Sequence, residues 1–387
     1  MNKNLNTYFK RITSSGNFIP EIDGLRFIAI LSVVIFHLFL FITNKDYHLY
    51  DDNTDYFLLK KIASHGKLGV PLFFIISGFI LGLPFAKFYI INGNPINIKS
   101  YFSRRLTRLE PPYILVMFLL FIGSVYVVRN LEFAEAFKSL LASLSYTHNF
   151  FYPGEYPLLN VSAWSLEIEV QFYILAPLLA LFFSIKKVSI RRLSMISLII
   201  VLIVFNHYCR LSFLSLLNYL HYFLIGFLLV DIFLMEKNIL PKTKFDKIIS
   251  LLLFVSIWLF ESSDFNSSIA LGWEFLQVLL IFLFYYYVLI HNVFKFLRNP
   301  IVTNIGGMCY SIYLLHYAII SMFGNQLFKY QISGYSFLNV GFYILILIIF
   351  ILLISSVFYL LVEKPCMNKN WLLDLKDKII KAKAVKT

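Results

Sequence analysis

Apolar blocks of about 18 to 25 residues, rich in Leu, Ile and Phe, alternate along this chain with short basic or aromatic stretches. Each block is long enough to cross a hydrocarbon core of about 30 Å. The pattern predicts helical spans near 23–42, 68–91, 112–128, 164–184, 194–208, 214–235, 248–261, 271–291, 303–323 and 338–362. The expected fold class is an all-α polytopic membrane protein with about ten transmembrane helices. The fifth and seventh blocks are the shortest, and a segment of about 14 residues also suits a re-entrant or interfacial helix. No internal repeat or low-complexity linker divides the chain. Two longer non-membrane stretches, 43–67 and 129–163, fall on one side, and the second contains "SYTHNFFYPGEYP". Its aromatic composition suits an interfacial loop or stacking against sugar rings.

Charge gives the pattern a direction. Alternating sides across ten spans gathers 24 lysines and arginines with the two termini and leaves 8 on the opposite side. The positive-inside rule then puts both termini in the cytoplasm. A composition that is 59% hydrophobic and 14% charged excludes an ordinary soluble domain. The net charge of +13 follows from basic loops that face anionic lipid. No nucleic-acid motif occurs, and "KDKIIKAKAVKT" at the C-terminus reads as a solvated or lipid-touching end. Cys209, Cys309 and Cys366 lack metal-ligand spacing and predict neither a metal site nor a disulfide. The first block is a full span without a small-residue cleavage site, so no cleavable signal peptide is expected.

Ionisable groups inside spans are the informative residues, because each costs about 2.5–3.5 kcal/mol at the bilayer centre unless a cavity or partner receives it. Within "EIDGLRFIAILSVVIFHL", Arg26 and His37 are separated by about three helical turns, on one face and roughly 16 Å apart. His37 can exchange a proton near neutral pH or be a buried structural group; Arg26, with Asp23 nearby, can line a pathway or snorkel to headgroups. In "WSLEIEVQFY", Glu167 and Glu169 point about 200° apart, so only one can face a given cavity. Glu169 lies deeper in the span. In "SRRLTRLEPPY", Arg105 and Arg108 share a helical face that can clamp phosphates or merely anchor the span.

Taken in order, these segments resemble the acyltransferase-3 family of integral-membrane acyltransferases, which modify surface and secreted glycans. The basic residue, ten residues, then histidine pattern falls on Arg26 and His37; "GVPLFFIISGFIL" carries Ser77 and Gly78 at a small-residue step. "RRLTRLEPPY" places the arginine pair on Arg105 and Arg108, and "WSLEIEVQFYILAPL" places the acidic position on Glu169. "YSIYLLH" at 310–316 and "VEKP" at 362–365 complete the order. Two departures stand out. Glu110 occupies a position where an apolar residue is expected, and no proline follows His316 as it often does in the family, so no role is assigned to His316.

The resemblance implies transfer of an acyl group, acetyl first among them, from cytoplasmic acyl-coenzyme A to a hydroxyl of a surface or secreted glycan such as an O-antigen or exopolysaccharide. His37 is then the general base or a transient acyl carrier, and Glu169 polarises or orients the acceptor or the histidine. Arg105 and Arg108 hold the phosphates of acetyl-CoA, and Arg26 neutralises charge between them and the base. No metal is implied. The expected organisation is a membrane domain over 1–366 and a basic cytoplasmic tail over 367–387, without the C-terminal esterase-like domain of some relatives. Expected partners are a glycan or lipid-linked glycan acceptor, membrane lipid, and a second copy or another glycan-assembly protein, in a bacterial inner membrane. A transporter or flippase is the principal alternative, and a non-catalytic scaffold the other. Release of free coenzyme A separates the enzyme from both.

Overall fold

In the computed structural model the described residues are 9, 11, 18–44, 57–209, 211–237, 242–260, 267–330, 336–368 and 371. All regular structure among them is helical. In chain order the helices are α1 (Pro20–Asn44), α2 (Phe57–Ser64), α3 (Gly69–Ile91), α4 (Ile98–Ile122), α5 (Phe133–Leu144), α6 (His148–Phe151) and α7 (Ala163–Leu179). They continue with α8 (Val188–Tyr208), α9 (Leu216–Glu236), α10 (Asp246–Leu259), α11 (Ser267–Tyr286), α12 (Pro300–Gly307), α13 (Cys309–Leu327) and α14 (Ser336–Phe358).

The all-α class agrees with the hydropathy pattern, which marks about ten apolar blocks. Among the described residues eight helices are long and apolar enough to cross a membrane, and a ninth candidate arises if the bent pair α12 and α13 counts as one. The difference lies in the block at 248–261: α10 has 14 residues, so it reaches only about 21 Å. The block at 303–323 is a helix broken by 69° at Met308. Gly306 and Gly307 end α12 there, and paired glycines are a recognised site of sharp bends. The fifth block, short in sequence, gains a turn at its start and becomes the 21-residue α8.

Local signals fix the ends. Asn97 accepts the Ser100 amide at 2.9 Å and caps α4; Ser215 and Asn218 form a capping box for α9. Asn299 caps α12 with Pro300 in its first turn. Asn92 closes α3 in the left-handed region (φ 52°), where asparagine is tolerated better than most residues.

Helix α9 forms the centre of one half of the bundle and packs closely on α3. A Cβ placed on Gly226 would lie 2.5 Å from the Phe79 amide nitrogen, and one on Gly78 would lie 2.9 Å from the Phe223 carbonyl carbon. The two backbones meet because neither helix carries a side chain at the crossing. Gly226→Ala is therefore expected to lower the thermal unfolding midpoint in detergent, at an overpacking cost of about 1–3 kcal/mol. Gly272→Ala, where none of the described residues lies within 4 Å, should leave it unchanged or slightly higher. Equal behaviour of the two variants would remove the glycine contact as the reason for this packing.

Asp231, wholly buried in the apolar run of α9, is held by two arginines of α8. Arg191 Nε donates to one carboxylate oxygen, and Arg192 Nε donates to the other at 2.7 Å. Sequence counting treats Arg191 and Arg192 as anchoring charges only; the structure makes them the counter-charge of a buried acid. On the periphery, Leu345, Ile349, Leu353 and Val357 form an exposed apolar stripe on α14 at four-residue spacing, the face expected toward lipid. Helix α1 packs against α3, α12 and α13, and this arrangement brings the ionisable groups of the first span to the rest of the site.

Candidate functional site

The first element of the site is a pair of histidines. His37 on α1 and His316 on α13, 279 residues apart, approach to 2.9 Å between Nδ1 of His37 and Nε2 of His316. His316 is completely buried, and its Nδ1 lies 2.9 Å from the Ile312 carbonyl and 2.8 Å from that of Tyr313. His37 is half-buried beside Phe36 and Tyr317. Its Nε2 has no hydrogen-bond partner among the described residues, and the side chain is only partly buried.

The second element is a cavity of 1130 Å³ lined by α1, α3, α4, α7 and the start of α13. At one end of α1 its wall carries Arg11, Arg26, Arg104, Arg105 and Arg108. Arg105 donates from Nη1 to the Tyr101 carbonyl at 2.8 Å and stacks 3.8 Å above the Tyr101 ring. Arg108 reaches Glu363 at 3.8 Å. Glu363 is held in turn by the Ser311 amide at 3.0 Å and the Ser311 hydroxyl at 2.6 Å, so "VEKP" meets "YSIYLLH" in space. The Nε donors of Arg11, Arg105 and Arg108 are buried without a hydrogen-bond acceptor among the described residues. Three orphaned guanidinium donors on one wall suit an anion with several oxygens. Burial and the neighbouring Arg108 charge pull the Arg11 pKa below its usual value, and Asp23 opposes them.

Arg26 faces this cavity with a partner already in place: its Nη1 lies 2.5 Å from Asp23, which also reaches Arg11 at 3.4 Å. Gly306 of α12 presses on the α1 backbone at Asp23, so the ion pair sits where α1 and α12 touch. Farther in, Glu169 of α7 receives the Ser77 hydroxyl at 2.7 Å and the Tyr173 hydroxyl, both on Oε1. Ser77, Glu169 and Tyr173 all line the cavity. Glu167 does not. It is buried, and its Oε2 accepts the Asn149 amide at 3.0 Å, which ties α7 to α6.

The structure thus brings Arg26, Arg105, Arg108 and Glu169 to one cavity. His37 is near it but not on its wall: Val33, one turn before His37, and Tyr313, three residues before His316, are on the wall. Glu110, the unexpected charge, accepts the Tyr146 hydroxyl at 2.8 Å and thereby joins α4 to the turn after α5. Sequence reasoning missed three contributors. Arg11 and Arg104 were visible only as anchoring charges. His316 was visible as a histidine within a matched segment, but only the fold reveals its contact with His37. No group of three or more metal-ligating side chains occurs among the described residues.

Comparison with known proteins agrees with the motif pattern. The model of the acyltransferase-3 family, described as an acyltransferase domain, matches residues 19–360. A Staphylococcus aureus (strain COL) protein provisionally named an O-acetyltransferase is 29% identical over 346 residues, covering 82% of this chain and 53% of its own length. O-acetyltransferase OatA of Staphylococcus aureus (strain NCTC 8325 / PS 47) is 26% identical over 406 residues, covering 94% of this chain and 60% of its own. The chain spans little more than half the length of these relatives. No solved structure matches it.

Proposed function

Since the chain belongs to the acyltransferase-3 family, we propose that this integral membrane protein moves an acetyl group from acyl-coenzyme A to a hydroxyl of a surface or secreted glycan, with the arginine end of the bundle in the cytoplasm. The observation that carries this reading is the cavity, which joins an arginine wall with orphaned donors to the Glu169 carboxylate. The O-acetyltransferase names of the relatives support acetyl as the group and oxygen as the accepting atom. The glycan as acceptor follows the motif resemblance.

Arg105 and Arg108, with Arg11 and Arg104, would hold the phosphates of the donor through forked donors. Arg26, neutralised by Asp23, contributes a hydrogen-bonding face rather than a free positive charge. The thioester end of the donor has to pass Val33 and Tyr313 to meet His37. His37 Nε2 takes the proton of the acceptor hydroxyl as its oxygen bonds to the acyl carbon. The carbon–sulfur bond then breaks with its electron pair on sulfur, and the thiolate takes the proton back from the imidazolium. The products are the glycan ester and free coenzyme A, and the base is neutral again. Glu169, with Oε1 occupied by Ser77 and Tyr173, keeps Oε2 to orient the acceptor hydroxyl.

The test combines two measurements. The full chain in membranes should release free coenzyme A from acetyl-coenzyme A when the cell's own surface glycan is supplied, and cells without the gene should lose acetyl ester from that glycan by mass spectrometry. Unchanged acetyl content together with no coenzyme A release would overturn the reading. Altered glycan export without coenzyme A release would favour a transporter.

The arginine wall gives its own expectation. Arg105→Lys with Arg108→Lys keeps the charge that sets topology but loses the planar fork and the stacking on Tyr101. The KM for acetyl-coenzyme A should rise about tenfold or more, equivalent to about 1.4 kcal/mol, with the glycan KM little changed. Lysine that serves as well as arginine would reduce both residues to anchors.

A further inference from the structure

We propose that His316 is the positioning residue of the transfer reaction: it fixes His37 as the Nδ1–H tautomer and leaves Nε2 of His37 as the base. The inference rests on the reading of His37 as the base and goes beyond it in assigning the proton. A backbone carbonyl only accepts hydrogen bonds. The Nδ1 of His316, 2.9 and 2.8 Å from the carbonyls of Ile312 and Tyr313, must therefore carry a hydrogen. Among the described residues no carboxylate pairs with either ring; the neighbours are Phe36 and Tyr317 around His37 and Tyr313 beside His316. With no counter-charge to hold a buried imidazolium, His316 is neutral, and its Nε2 is a lone pair. That lone pair, 2.9 Å away, can be filled only by a hydrogen on Nδ1 of His37. The other nitrogen of His37, Nε2, is then unprotonated and has no hydrogen-bond partner among the described residues. The order of parts is acceptor hydroxyl, His37, His316, backbone carbonyl, in which the second histidine does for the first what an orienting acid does elsewhere.

Complete burial makes the arrangement rigid, because α13 carries both the ring of His316 and the two carbonyls that set its tautomer. Two substitutions separate positioning from packing. His316→Leu removes the acceptor, and His37 becomes free to carry its hydrogen on Nε2. His316→Gln can restore an acceptor oxygen near the place of Nε2. In the full chain, His316→Leu should lower kcat for acetyl transfer at least 100-fold with the donor KM within about threefold of wild type, and His316→Gln should recover at least tenfold over leucine. Independent of any variant of His316, nitrogen-15 NMR of the histidine-labelled wild-type protein should show His37 with hydrogen on Nδ1, its signals identified by their loss in His37→Gln.

Hydrogen on Nε2 of His37 in the wild-type protein would overturn the proposal, whether or not the variants fold. Wild-type turnover in His316→Leu, or glutamine no better than leucine, would overturn it as well. A failure of the underlying reading looks different. There, His37→Gln itself would retain turnover while the NMR still placed the hydrogen on Nδ1.

Discussion

His37→Gln is expected to lower acetyl transfer by about 10³-fold or more while the protein still inserts and folds. A positioned general base contributes typically about 10²–10⁴-fold, and 10³ corresponds to about 4 kcal/mol of barrier. Glutamine keeps a polar group of similar reach beside His316 but offers no imidazole nitrogen to take a proton, so the loss reports chemistry rather than a cavity. The measurement is the rate of coenzyme A release per folded protein, with acetyl-coenzyme A and glycan both saturating. A variant that keeps a tenth of wild-type turnover would remove His37 from the proton transfer.

The second large effect separates two acids that hydropathy treats alike. Glu169→Gln should lower turnover at least about 10²-fold. Its amide can still accept from Ser77 and Tyr173 through one oxygen, but the second position becomes a donor and presents the opposite polarity to the cavity. Glu167→Gln should stay within about threefold, or roughly 0.65 kcal/mol. An amide oxygen can still accept the Asn149 backbone hydrogen at that buried site. Rates of the two variants, normalised to folded protein, decide the matter. Equal losses would mean that the outer end of α7 is one acidic structural cluster, and loss in Glu167→Gln alone would put the functional acid on the α6 side.

Much of the candidate site was legible because a membrane span makes ionisable residues conspicuous. His37, Glu169 and the Arg105–Arg108 pair stand out against apolar neighbours, and the 200° offset of Glu167 from Glu169 follows from helix geometry. What the sequence withheld was pairing. Nothing near His37 in the chain announces a partner 279 residues away, and Asp231 looks like an unexplained charge until α8 delivers two arginines to it. The count of eight or nine candidate spans among the described residues, against about ten apolar blocks, has a related reason. Hydropathy registers apolar length, not direction, so the bent pair α12–α13 reads as a single crossing and the 14-residue α10 as another.

Helix α1 is fastened at two heights by one neighbouring unit: α12 bears on it through Gly306 at Asp23, and α13 joins it through His316 at His37. Between those fastenings α1 is a measuring rod. One added or deleted residue would lengthen or shorten it by about 1.5 Å and swing His37 through about 100°, away from its partner histidine, with Asp23 and Arg26 still seated below. The rod therefore constrains number more than identity. Half-exposed positions such as Leu31 and Ile35 can exchange one apolar side chain for another, whereas the ten residues between Arg26 and His37 cannot become nine or eleven without uncoupling the ionic end of the helix from its histidine end.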